Sequence, residues 1–391
     1  MDSRTQDAIE LMKGFAERTG LTSERVPERY LWTDAFAVCT YFELARATGD
    51  DRYKQLGLRL IDQVHRTLGR HRADDPRTGW ISGLGERAWE KQPTTGGLRI
   101  GKTLPERGPG TPYDERLEWD RDGQYFHYLT KWMHALDQAT RATARSVFNE
   151  WARDLARTAY DAFTYVPDRG GRRRMYWKMS IDLSRPLVPS MGQHDPLDGY
   201  VTYLQLQTTA SSMPGATSTP NLSGAIDQFG SMIGNAGLLS VDSLGLGGLL
   251  LDAARGAQLM RHGAPFATDR LETLLAAALM GLEHYLRQNA LRQPATRRLA
   301  FRELGLAIGL HAVALTWKAE EEETERPGSS TTPTRVHALK RYAFLRTEIE
   351  SFWRHPDHQR TSTWQDHRNI NEVMLATSLA PEGLVVLRPP S

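Results

Sequence analysis

The chain has 391 residues, long for a single small domain but within the range of closed helical barrels. Its 40% hydrophobic and 25% charged residues are ordinary for a globular protein, and a net charge of +2 argues neither for nor against a nucleic-acid partner. The single cysteine, Cys39, excludes an internal disulfide and a cysteine-based zinc site. No run approaches about 18 uninterrupted apolar residues, so no membrane span is expected. Met1 to Thr19 is amphipathic and lacks the apolar centre of a signal peptide, so the expectation is a reduced, cytoplasmic protein.

Periodicity predicts twelve helices, at 3–19, 29–48, 52–70, 119–140, 142–165, 195–211, 221–235, 246–262, 268–288, 298–318, 337–353 and 369–379. They alternate in character. The second carries Ala35, Val38, Cys39, Phe42 and Ala45 at helical spacing, and the fourth Tyr125, Leu129, Trp132, Met133 and Leu136. The eighth contains Gly247-Gly248 before three leucines, and the tenth Gly305 and Gly309. Each glycine costs about 1 kcal/mol of helix propensity. In a packed inner helix it lets a neighbour approach closely. The third, fifth and eleventh keep Arg, Asp and Glu on one side, as outer, half-solvated helices do.

Tight turns, such as Gly49-Asp50-Asp51, lead from inner to outer helices. Two long connections, 71–118 and 166–194, return the chain to inner-helix starts. Connections of that length are usually functional or disordered; because these two lead back to the inner-helix starts, they are expected to form the rim or lid of a central pit. The 319–336 segment, with its acidic run and Pro327-Gly328, reads as a solvated surface loop without a role in function.

The segments Tyr30-Leu31-Trp32-Thr33-Asp34 and Trp119-Asp120-Arg121-Asp122-Gly123-Gln124-Tyr125-Phe126-His127, each leading into an apolar helix, are similar to inner-helix starts of known toroidal enzymes. With six inner/outer pairs, most of the chain resembles the (α/α)6 toroid of six-hairpin glycosidases and of the N-acylglucosamine 2-epimerase group. The resemblance is one of architecture and implies a single toroidal domain over 1–391. It transfers no catalytic residue.

The densest polar cluster is Glu118-Trp119-Asp120-Arg121-Asp122 with His127. A helix-start acid is expected as a cap, which accounts for one of Asp120 and Asp122 but not for the whole cluster. In a second cluster, His194-Asp195-Pro196-Leu197-Asp198, Asp195 reads as an N-cap before a proline, leaving His194 and Asp198 unexplained. Met175 to Asp182 alternates like a short strand, with Tyr176 and Trp177 suited to a sugar-ring platform. Glu303, His311 and Glu372 begin or line further inner helices.

Glycoside hydrolysis needs two carboxyls, an acid for the leaving oxygen and a base or nucleophile opposite. Asp120 or Asp122 facing Asp198, Glu303 or Glu372 supplies candidates. Epimerisation or isomerisation of an open-chain sugar needs proton-transfer groups, often His, for which His127, His194 and His311 stand ready. Trp32, Asp34, Trp119, His127, Tyr176, Trp177, His194, Glu303 and His311 form the expected substrate-binding set. The leading expectation is a glycoside hydrolase acting on a small molecule or oligosaccharide, with a sugar epimerase and a non-catalytic sugar-binding or scaffold protein as alternatives. No metal, cofactor, nucleic acid or membrane is called for. Gly96-Gly97-Leu98-Arg99-Ile100-Gly101-Lys102-Thr103 fits the P-loop spelling, but it neither follows a predicted strand nor opens a helix. His355-Pro356-Asp357-His358, with Asp366-His367 after it, reads as an interhelical loop rather than a metal site.

Overall fold

The computed structural model describes residues 2–213, 220–234, 237–323 and 332–390. Its helices are α1 (Ser3–Arg18), α2 (Leu31–Thr48), α3 (Asp51–Leu68), α4 (Glu86–Trp89), α5 (Glu115–Asp120), α6 (Phe126–Thr143), α7 (Ser146–Phe163), α8 (Asp195–Ser212) and α9 (Ser223–Met232). They continue with α10 (Ser243–Arg261), α11 (Thr268–Arg287), α12 (Ala300–Glu323), α13 (Thr332–Lys340), α14 (Ala343–Arg354), α15 (Pro356–Gln359), α16 (Ser362–Gln365), α17 (Arg368–Leu379) and α18 (Glu382–Val385). Five short strands accompany them: β1 (Gln124–Tyr125), β2 (Thr164–Tyr165), β3 (Arg174–Met175), β4 (Lys178–Met179) and β5 (Pro186–Val188). Among the described residues no helix is long and apolar enough to cross a membrane.

The chain divides into two compact units. The first comprises Met1–Phe15, Cys39–Tyr53 and Gly234–Arg388; the second comprises Ala16–Val38, Lys54–Ile233 and Pro389–Ser391.

In the first unit α10 and α12 are the packed centre, with α11 against α10 and with α14 and α17 against α12. Helix α10 buries Leu246, Leu249, Leu250, Ala253, Ala254 and Ala257, while the amphipathic α11 and α14 bury single stripes such as Leu271, Leu274 and Ala278, or Leu345, Ile349 and Trp353. The expected glycine contact is present. A Cβ on Gly247 would stand 2.1 Å from the Gly305 carbonyl oxygen, and one on Gly309 would stand 2.5 Å from that of Gly247. Backbone on both sides leaves no flexible group to yield. Gly247→Ala is therefore expected to cost about 3 kcal/mol, read as a lowered midpoint in urea denaturation. An unchanged midpoint would mean that this crossing is not tightly packed.

In the second unit α6 packs against α7 and α8, and α8 against α9. Buried polar groups tie three of these helices together. The Asp137 carboxylate of α6 accepts from Arg141 Nε at 2.9 Å, Gln205 Nε2 at 2.6 Å, Asn149 Nδ2 at 2.9 Å and Thr209 Oγ1 at 3.1 Å. Strands β1, β4 and β5 form one antiparallel sheet, and β2 and β3 a second.

Several boundaries differ from the periodicity, and the one helix expected at 337–353 is divided between α13 and α14. The fourth helix was expected from residue 119 but starts at Phe126, because Gln124 and Tyr125 pair with Met179 and Lys178. Gly123 before them has φ +148°, and a Cβ there would meet the Met179 carbonyl oxygen at 2.7 Å. Helical φ, ψ values are unavailable to a strand residue, so α6 begins after the pairing ends. The 319–336 segment was expected as loop, yet α12 runs to Glu323 and helix resumes at Thr332; residues 324–331 lie outside the described residues.

The 71–118 connection is held by ion pairs. Arg77 binds Asp75 at 2.7 Å, Glu106 at 2.6 Å and Asp182 at 2.7 Å. Trp80 and Trp89 stack with ring centroids 3.4 Å apart.

Candidate functional site

The first turns of α6 and α8 meet in the second unit. His127 lies in the first turn of α6 and Asp195 at the first position of α8. The α8 start follows the sequence logic of a proline in the first turn, but the cap is His194, without a side-chain hydrogen bond. The Asp195 carboxyl is thus not spent on capping. Its Oδ2 is buried without a partner, as is His127 Nδ1. Nδ1 stands 3.8 Å from Asp195 Oδ1, beyond hydrogen-bond length. Buried polar atoms without partners are costly, and in a native fold such atoms call for an explanation such as function.

One turn further along α8, Asp198 makes an ion pair with Lys131, whose Nζ is 2.8 Å from both carboxylate oxygens, and accepts from Thr130 Oγ1 at 2.6 Å. The two acids therefore live in opposite surroundings. Burial, with the Asp198 charge added, pushes Asp195 up to about 7. Burial pulls His127 down to about 4. Near neutrality His127 is an uncharged imidazole, and Asp195 holds its proton to a pH well above that of an ordinary carboxyl. The His127 side chain keeps 29% of its surface open and Asp195 only 7%, so His127 is the member a ligand touches more readily. Gly192 completes the corner, since a Cβ there would stand 2.4 Å from Asp195 Oδ2.

Aromatic rings cover this corner. Trp177 lies nearly parallel to the His127 ring, at 14° and 6.3 Å between centroids. It also meets Tyr125 at 5.2 Å and, edge-on, Trp119 at 5.3 Å. Tyr128 contacts both His127 and Tyr125, and its hydroxyl lies 2.6 Å from that of Tyr30. Trp119 is 47% exposed, an unusual degree for a tryptophan tied into an aromatic cluster. The strand pair that carries Trp177 is anchored by Lys178, whose Nζ donates to Glu118 Oε1 at 2.9 Å and to the Arg121 carbonyl at 2.8 Å.

Of the residues singled out from sequence, His127, Asp198, Trp119 and Trp177 come together here. Several others are occupied elsewhere. Asp122 is fully buried and accepts from Arg99 at 2.9 Å, Arg72 at 3.3 Å and the Gly101 amide at 2.9 Å. Asp120 is exposed at the end of α5. Asp34 is buried, accepts from the Tyr30 amide at 2.9 Å and faces Arg29 at 3.4 Å; burial raises it to about 6 against the Arg29 charge. Trp32 packs on Phe36 at 4.3 Å, and Tyr176 stacks on Tyr165 at 4.3 Å. His194 caps α8.

The remaining three belong to the first unit, where each is engaged. Glu303 takes Arg298 Nη2 and Trp353 Nε1, each at 2.7 Å. His311 binds Glu350 at 2.8 Å, and Glu372 takes Arg368 Nε at 2.7 Å. The Gly96–Thr103 loop spends its groups on the protein: Gln124 Oε1 accepts from the Leu98 amide, and Asp122 holds Arg99 and the Gly101 amide.

Asp195 is the residue that sequence reasoning passed over, because an acid before a proline at a helix start is ordinary capping chemistry. Only its second carboxyl neighbour three residues on hinted otherwise. Among the described residues no group of three or more His, Cys, Asp or Glu is placed to hold a metal ion.

No protein-family model matches the sequence, and no curated protein matches it. Solved structures do match. The GH76 alpha-mannanase from Bacteroides thetaiotaomicron superposes with a TM-score of 0.55 over 97% of this chain and 96% of its own, at 10% identity. A D-mannose isomerase gives 0.47 over 97% and 98%, at 11% identity, and the cellobiose 2-epimerase from Bacillus thermoamylovorans 0.45 over 88% and 87%, at 8%. The fold is thus all-α and of the (α/α)6 toroid class.

Proposed function

We propose that the chain is a carbohydrate-active enzyme and that its reaction is hydrolysis of a glycosidic bond, with Asp195 as general acid and Asp198 as the ionised carboxylate partner. The observation that carries this reading is the pair itself: two carboxyls one turn apart on α8, one pushed up to about 7 by burial and the other held in an ion pair with Lys131. Environments that separate the protonation of two neighbouring acids mark an acid and its ionised partner. The pair Trp119 and Trp177, backed by the buried Tyr125, supports a sugar ring as the group presented to them. The fold shared with a mannanase is consistent with that substrate class, as an analogy. Asp120, Asp122 and Glu372 have no part in this proposal. Trp32 and Asp34 serve the packing of α2.

A second reading has one specific observation in its favour. His127 is uncharged near neutrality and more open than Asp195, which suits proton transfer at a sugar carbon, as in epimerisation or isomerisation.

Time-resolved proton NMR against a panel of oligosaccharides and free sugars separates the two. New anomeric signals from a cleaved bond support hydrolysis; interconversion of free sugars with uptake of solvent deuterium supports the His127 reading. Silence across the panel with retained binding favours a sugar-binding protein. For hydrolysis the pH profile is set by Asp195. A general acid works while protonated, so the rate is expected to fall as pH rises through about 7. A rate that still climbs at pH 8 would remove Asp195 from the acid role.

A further inference from the structure

On the second unit α4 and the residues after it face α7 across two cavities that share one residue, Trp151. The larger, of about 690 Å³, is lined by Arg87, Lys91, Gln92, Glu150, Asp154 and Arg157 beside Trp151. The smaller, of about 370 Å³, has an apolar wall that includes Leu58, Ile61 and Phe148. Both volumes lie within the usual range of small-ligand sites, roughly 300–1,000 Å³.

Trp151 is half-buried and held in one orientation. Its Nε1 donates to the Lys91 carbonyl at 2.8 Å, and its ring is met edge-on by His65 at 5.3 Å and Phe148 at 5.5 Å. A ring fixed in this way loses little freedom when a ligand stacks on it. The larger cavity surrounds it with charges of both signs. Arg157 lies 3.8 Å from Asp154, and its side chain is 56% exposed. Donors and acceptors interleaved around one aromatic side chain suit hydroxyl groups, each of which both donates and accepts. An anion would instead call for cations alone, and a purely apolar ligand would leave these charges desolvated and unpaired.

We propose that the two cavities flanking Trp151 are a second, non-catalytic saccharide-binding site, in which a sugar ring stacks on Trp151 and its hydroxyls meet Gln92, Glu150, Asp154 and Arg157. The choice of a saccharide among polyhydroxylated ligands rests on the carbohydrate reading above. None of these residues belongs to the His127–Asp195–Asp198 corner, so the site holds a chain without processing it.

The test is isothermal titration calorimetry on the full chain carrying Asp195→Asn, with maltotetraose, cellotetraose and α-1,6-mannotetraose as probes. At least one probe is expected to bind saturably, and Trp151→Ala is expected to weaken that binding about tenfold or more, with an unchanged circular dichroism spectrum. Should Trp151→Ala fail to fold, the double substitution Glu150→Ala, Arg157→Ala decides, with a loss of about threefold or more expected. Failure of all three probes to bind, or binding equal to the parent in the folded variant, overturns the proposal. Turnover of the Asp195 protein is measured separately. Saccharide binding lost with Trp151 in a protein without turnover would sink the hydrolase reading and leave this site standing. Turnover without Trp151-dependent binding would do the reverse.

Discussion

Asp195→Asn is expected to cut turnover severely and yet stabilise the protein at alkaline pH. The carboxyl is 7% exposed, and its Oδ2 has no partner. Burial and the Asp198 charge raise it from 3.8 to about 7 in the folded state. Below pH 3.8 both folded and unfolded chains carry the proton and the group costs nothing. Between 3.8 and 7 the unfolded chain ionises while the folded chain does not, so stability is lost progressively, and the loss is complete once pH has risen through 7. A shift of this size corresponds to roughly 4 kcal/mol. Asparagine cannot ionise and removes that cost. A gain of about 2–4 kcal/mol is therefore expected at pH 8 and almost none near pH 4, read by urea denaturation at the two values. Loss of the general acid is expected to reduce the rate by about 10²–10⁴. Such opposition between stability and activity is usual at strained sites. A variant that is less stable than the parent at pH 8, or that turns over normally, contradicts the assignment.

Asp137→Ala is expected to destabilise the protein by about 3–5 kcal/mol without reference to any substrate. Burial opposes ionisation of Asp137, but Arg141, Gln205 and Asn149 together override it and hold the carboxyl below its ordinary value. Its stabilising contribution is present above about pH 4 and fades as pH falls through the folded value. Removing the carboxylate leaves the Arg141 guanidinium, 5% exposed, as a buried cation without its anion. Asp137→Asn keeps the shape and some of the hydrogen bonds, so a smaller loss is expected. Thermal unfolding of the three proteins at pH 7 and pH 3 tests both parts. The differences between them should shrink at pH 3, and an alanine variant as stable as the parent at pH 7 would show that the network contributes little.

Much of the helical scaffold was legible in the chain. Stripes such as Leu129, Trp132, Met133 and Leu136 repeat at helical spacing and are buried. Gly247, Gly305 and Gly309 signalled a close crossing of helices, and α10 and α12 do approach through them. The candidate corner was legible only in part. His127 and Asp198 stand out as polar residues in otherwise apolar helix starts, and Trp119 and Trp177 as aromatics beside them. Asp195 was hidden by a good local explanation. Asp122, in the most conspicuous acidic cluster, is taken up by Arg72 and Arg99. Both arginines lie in segments distant in sequence, which no local pattern reveals.

The division follows from the range of the forces involved. Helix positions, inner and outer faces and glycine crossings depend on periodicity and side-chain size, which are properties of a short window of sequence. By itself the sequence therefore determined an all-α chain of paired helices with polar groups at the inner starts. Which acid is pushed up by burial and which is locked in an ion pair depends on the surroundings and on charges brought from elsewhere in the chain. Lys131 reaches Asp198 across 67 residues, and Arg72 reaches Asp122 across 50. Only the tertiary structure assembled those environments, because desolvation and charge pairing are set by neighbours in space.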